Sequence, residues 1–201
     1  MDNYELVLSK LIERLAKFNY AIVGDRTGAE FDLENESLRV RFLGQDYCVT
    51  KTDCKPLGGH VDDTKDVILI VDYLLSFGSL EAGDDWIDFR DLPGSMPYDG
   101  AFRANVEMVL EKHVPDIIEH KGELTSEFDG YDAVGFSNAD FAVVFQVFPR
   151  VDCLVLLCAG DDEIGAGAKL LFSSKAQHYL TTESLAAIGE TLTRRISGHV
   201  S

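Results

Sequence analysis

Apolar residues recur at three- and four-residue steps near the start of the chain. Tyr4, Val7, Leu8, Leu11, Leu15 and Phe18 form a stripe, with Glu5, Lys10, Glu13, Arg14 and Lys17 mostly on other faces. Residues 2–18 therefore read as an amphipathic helix. After a glycine-containing connection the period changes to two. In "ESLRVRFLGQDYCVTK", Leu38, Val40 and Phe42 alternate with Arg39 and Arg41, the chain turns at Gly44–Gln45, and Tyr47 and Val49 resume the apolar face. This is the clearest hairpin in the chain. A polar loop containing His60 leads to "TKDVILIVDYLLSFG", apolar on most sides and so expected to be the central buried helix. Asp62, Asp63 or Thr64 can cap its start, and Gly78 can supply a left-handed stop.

"DWIDF" reads as a short strand. "YDGAFRANVEMVLEKHV" follows as a helix with Phe102, Val106, Val109 and Leu110 in one stripe, Pro97 in its first turn and Pro115 closing it. "PDIIEHKGEL" suits a short helix. The last third is strand-rich: "YDAVGF", "DFAVVFQVF", "VDCLVLLCAG" and "AKLLF", with Pro149 placed to break pairing at a hairpin end. "TTESLAAIGETLTRRISG" is a terminal helix with a Thr cap, Leu185, Ile188, Leu192 and Ile196 as its buried stripe, and Gly198 as its stop. Helices and strands come in mixed order, without strict β-α alternation or internal repeats. The expected fold is α+β: a single domain over 1–201 with a mainly antiparallel sheet packed with about four helices.

Composition sets limits on partners. The chain has 201 residues, 46% of them hydrophobic, enough to bury a core. Its formal net charge is −17, from 35 acidic and 18 basic residues. That balance disfavours the nucleic-acid backbone, which is bound by clustered Lys and Arg, and disfavours anionic membrane surfaces. Apolar runs such as "VILIV" are far too short to span a bilayer, and the amino-terminal stretch is too charged for a signal peptide. A cytoplasmic protein is the expectation.

Four cysteines in a chain of this length do not make a disulfide scaffold, and no C-x-x-C occurs. Cys153 and Cys158 are five apart in an expected strand, so they point to opposite faces and cannot jointly grip one metal. Reduced, mostly buried thiols and no metal site are expected. "GAGAK", Gly165 to Lys169, lacks the spacing of a phosphate loop and precedes a strand, which favours a plain turn. Asp161, Asp162 and Glu163 are consecutive, unlike the alternating acids of a calcium loop. His178 lies near Ser173 and Ser174, but no G-x-S-x-G elbow accompanies it.

The corner "WIDFRDLPGSMPYDGAFR" differs in kind. Arg90 follows a strand carrying Trp86 and Phe89, and Tyr98 and Phe102 enter the next helix. An Arg among aromatic faces can stack, and its fork can hold a carboxylate or phosphate at two points. The alternative is that Arg90 pairs with Asp88, Asp91 or Asp99 and pins the corner.

"VILIVDYLL", "WIDFRDLPGSMPYDGAFR", "ADFAVVFQVFPRVDCLVLL" and "LLFSSKAQHYLTTESLAAIGETL" resemble, in order and spacing, the bacterial and archaeal domain-of-unknown-function family DUF3786. The resemblance is strongest over residues 38–197. It implies a single domain of about this length, common in anaerobes, with some relatives joined to or lying near iron–sulfur or corrinoid-related proteins. It places Trp86, Phe89, Arg90, Pro93, Gly94, Phe102, Asp140, Pro149, Arg150, Tyr179 and Leu180 on the family pattern. The family favours an Asp where this chain has Ser173, and this chain lacks a cysteine-rich segment for an iron–sulfur cluster. No mechanism and no cofactor follow from it.

Three functional readings result. The first is a domain that binds a small anionic ligand or cofactor-derived group, with Arg90 as anchor, Trp86, Tyr98 and Phe102 as walls, and Asp140 and His178 as secondary candidates. The second is an accessory protein docking on a metabolic partner. The third, least supported, is a hydrolase-like enzyme using His178 with Asp140.

Overall fold

The computed structural model describes residues 3–58, 63–78, 85–161 and 165–201. His60, Asp62, Asp162 and Glu163 lie outside them. Two antiparallel sheets organise the chain. The first runs β1 (Glu30–Asp32), β2 (Ser37–Phe42), β3 (Gln45–Val49) and β4 (Cys54–Pro56) in that order. The second contains β5 (Trp86–Asp88), β6 (Gly130–Asp132), β7 (Phe141–Phe148), β8 (Val151–Cys158) and β9 (Gly167–Ser173), ordered β5-β9-β8-β7-β6. The sheet expected from the sequence is therefore divided in two. The halves meet where Leu43 N–H donates to Val147 C=O at 3.1 Å and Phe42 stacks on Phe148 with ring centroids 4.8 Å apart.

The helices are α1 (Asn3–Leu15), α2 (Tyr20–Thr27), α3 (Thr64–Leu75), α4 (residues 99–112), α5 (Val114–Glu119), α6 (Lys121–Glu127) and α7 (Thr182–His199). The fold is α+β. α2 occupies what the sequence suggested was a connection: Asn19 caps it by accepting from Ala21 N–H at 2.9 Å, and Gly28, at φ 78°, ends it. α3 is capped by Asp63, which accepts from Lys65 N–H at 3.0 Å. It stops at Leu75, before Gly78, which is left-handed and lies against the Tyr179 ring. α7 begins at the expected Thr cap, Thr181, and buries Leu185, Ile188, Leu192 and Ile196; it runs through Gly198 to His199. Pro115 opens α5.

α3 also buries a carboxylate. Asp66 takes Arg195 Nη2 at 2.8 Å and Arg194 Nη2 at 3.3 Å, which ties α3 to α7 through the core. A buried acid survives there because two guanidinium groups compensate its charge.

The five-stranded sheet turns Phe141, Val143 and Phe145, Cys153, Val155 and Leu157, and Ala168, Leu170 and Phe172 into the central core. Strand alternation sends Ala142, Val144, Leu154, Leu156, Lys169 and Leu171 to the other face. Val144 and Leu154 are buried there, apart from the central cluster.

Candidate functional site

α4 begins at Asp99 and is regular to Phe102; residues Arg103–Glu107 then form a π turn, and regular helix resumes to Lys112. Apolar spacing placed Val109 in the buried stripe. The structure instead buries Phe102, Val106, Glu107 and Leu110, and Val109 is half-buried. The wide turn adds a residue to the helical repeat, which re-aims the following side chains; such turns often occur at functional sites. Here it brings a carboxylate, Glu107, to the edge of β9 with only 5% of its side chain exposed.

Two cations hold that carboxylate. Arg103 Nη1 reaches Glu107 Oε2 at 2.8 Å, and Lys169 Nζ reaches Glu107 Oε1 at 3.1 Å. Arg103 extends its other arm to Glu111 Oε1 at 2.8 Å, while Lys169 also reaches Asp88 Oδ2 at 3.0 Å. Hydrogen bonding to Glu107 leads the interactions that hold the Arg103 guanidinium above its ordinary pKa. For Lys169 burial pulls the ammonium down, but its bonds to Asp88 and Glu107 outweigh that and the net direction is upward. Both groups remain cations at any physiological pH.

The network borders a cavity of about 590 Å³. Leu156 contributes to its apolar wall above the β9 stretch Gly167–Ala168, Phe136 and the loop from Gly135 to Ala139 close another side, and Arg103, Glu111 and Lys169 stand at its polar edge. Leu156 pairs with Lys169 across the β8–β9 ladder, which fixes the ammonium beside the apolar wall. Cys158, exposed and free, also lines the space, with its Sγ 3.7 Å from the Asn138 carbonyl. Its strand-mate Cys153 is fully buried in the core, as the five-residue spacing requires. The expectation of mostly buried thiols therefore needs correcting at Cys158, whose alternate face is open. Among the described residues, no group of three or more His, Cys, Asp and Glu is placed to hold a metal ion.

The sequence candidates divide around this cavity. Arg90 is 65% exposed, in a short 3₁₀ turn, with its Nε 3.8 Å from Asp88 Oδ2. Its carbonyl accepts from Ser95 Oγ at 2.7 Å. It joins the network from outside, through Asp88, and none of the described cavities includes it. Trp86 is half-buried at the start of β5, opposite Ser173, and Tyr98 is half-buried just before α4. Phe102 is core: it stacks on Phe89 with centroids 4.0 Å apart and planes 5° apart, and only 3% of it is exposed. Asp140 lies beside the cavity loop and its Oδ2 accepts from Ala159 N–H at 2.7 Å, closing the end of the β7–β8 ladder.

His178 is exposed, in a 3₁₀ turn beyond the opposite end of β9 from Asp140. The seven residues of β9 separate them by roughly 20 Å at the usual strand rise. The geometry does not bring these two together. It does assemble Arg103, from the end of the corner segment, with Lys169, from "GAGAK", and Glu107 and Glu111. No short motif links these positions. The apolar spacing gave no cue to Glu107, which lies beside the Phe102–Val106–Leu110 stripe at regular helical spacing and is brought in by the π turn.

No curated protein and no solved structure matches the chain. The model for the domain of unknown function DUF3786 matches residues 20–195, and the chain belongs to that family.

Proposed function

We propose that this domain binds a small anionic ligand with an apolar body, and that its site is the cavity between α4, the loop preceding β7, and β8–β9. The observation that carries this reading is the pairing of an apolar wall with two fixed cations. Leu156 and Phe136 offer apolar surface, and Arg103 and Lys169 stand beside it, each about half-exposed. A cavity of about 590 Å³ is within the range that holds metabolite-sized molecules. Arg103 has five N–H donors and Lys169 three, so donors remain beyond those their carboxylates use. Arg90 acts one step back, by pairing with the Asp88 that holds Lys169.

Native mass spectrometry of the chain, purified anaerobically from its source, tests this. A small molecule retained by the wild type and lost from Leu156→Glu supports the reading. A molecule retained equally by both places the site elsewhere.

The second reading, docking on a metabolic partner, draws on the outer face of the five-stranded sheet. Tyr131 is 55% exposed there, on the edge strand β6, and Val134, just beyond that strand, is 94% exposed. In that case native spectra show a protein adduct in place of a small molecule.

A further inference from the structure

We infer that the ligand is a monocarboxylate, and that Glu111 occupies its place on Arg103 while the cavity is empty. This rests on the binding reading above and names the class of ligand. The two carboxylates on Arg103 differ in kind. Glu107 is 5% exposed and held from both sides, by Arg103 and by Lys169, so it is a fixed part of the wall. Glu111 is 22% exposed, lines the cavity, and among the described residues its carboxylate is bonded to Arg103 alone. Turning Glu111 to solvent breaks one ion pair with a half-exposed guanidinium, a small cost by the standard of exposed pairs. It frees a guanidinium arm at the cavity wall, already aimed at a carboxylate and fixed in place by Glu107.

Charge then selects the ligand. Arg103 and Lys169, with Arg90 on Asp88 from outside, face Asp88, Glu107 and Glu111, three cations against three carboxylates. A monocarboxylate that takes the place of Glu111 restores the same balance. A phosphate dianion adds surplus negative charge beside Asp88 and Glu107, where like charges repel. An ammonium must approach two cations. A neutral amide leaves the freed guanidinium arm without a charged partner, and charge-assisted bonds are about twice as strong as neutral ones. Glu111 is thus an intramolecular competitor, and removing its charge opens the site.

The test is a titration of benzoate, benzamide, benzylamine and phenyl phosphate, read by amide shifts at Leu156 and Cys158, on wild type and Glu111→Gln. Glu111 lines the cavity and packs into no part of the core, and Gln keeps its shape, so this substitution preserves the fold. Benzoate is expected to bind at least about tenfold more tightly than benzamide, a difference of about 1.4 kcal/mol, and more tightly than phenyl phosphate. Glu111→Gln is expected to tighten benzoate several-fold and benzamide by less. Benzamide or phenyl phosphate binding as well as benzoate overturns the inference while the cavity remains a binding site. Unchanged or weakened benzoate binding in Glu111→Gln overturns it as well. If no probe moves Leu156 or Cys158, the binding reading fails first.

Discussion

Lys169 Nζ lies 3.0 Å from Asp88 Oδ2, although 81 residues separate the two in sequence. The contact exists because β5 pairs with β9, placing Asp88 opposite Leu171 and thus two residues along the same face from Lys169. It joins the corner segment that carries Arg90 to the "GAGAK" stretch, whose spacing alone reads as a plain turn.

Lys169 and Glu107 should be energetically coupled. Glu107 is nearly buried, so removing Lys169 leaves its charge with Arg103 alone, whereas removing both charges relieves the problem. A double-mutant cycle with Lys169→Met and Glu107→Gln, read by urea unfolding, should give a coupling of about 1 kcal/mol, discounted for the exposure of Lys169. Strictly additive effects would mean that the contact does not organise the cavity edge.

Phe102 should matter to stability and not to the ligand. Its ring fills the space over Gly189, where an added Cβ would lie 2.5 Å from its Cε2, and it stacks on Phe89. Phe102→Leu should cost about 1–2 kcal/mol from lost ring packing. Its affinity for cavity ligands should remain within about twofold of wild type, a free-energy change under ~0.5 kcal/mol. Titrations on the folded variant check this, and a large loss of affinity would return Phe102 to the site.

Asp152 should make the fold less stable as pH rises. Burial lifts its carboxyl above the usual range, partly offset by Lys175. A group with a raised folded pKa contributes stability that is fully present below its unfolded value, about 3.9, and is lost as pH rises through the folded value. Ionised Asp152 is therefore a cost at neutral pH. Asp152→Asn should raise Tm by about 1–3 °C at pH 7, and the gain should vanish near pH 4. Thermal unfolding at the two pH values checks it; a loss of stability at pH 7 would mean that the carboxylate has a stronger cation partner than Lys175.

Much of the fold was legible because local chemistry and tertiary packing agree there. The β2–β3 hairpin follows its period-two alternation, with Leu38, Val40 and Phe42 buried. The α7 stripe follows its three- and four-residue steps just as closely. Other features depend on distant partners. α2 is short, and distant partners hold it: Tyr20 and Val23 pack into the core, Arg26 donates to the Leu74 carbonyl, and the Tyr73 hydroxyl donates to the Thr27 carbonyl. The π turn in α4 exists where Glu107 meets Lys169, a contact made only after β9 is in place. For the same reason the cavity was hidden. Arg90 stood out by its aromatic neighbours, yet Arg103, thirteen positions later in the same segment, is the arginine at the cavity wall.

The most direct test of the central claim is methyl and amide NMR mapping of small anionic fragments on the intact chain. Shifts should concentrate at Leu156, Ala139, Ala168 and Cys158, around Arg103 and Lys169, and should disappear in Leu156→Glu. Shifts centred on Trp86, Arg90 and His178, with the cavity residues unmoved, would contradict the account.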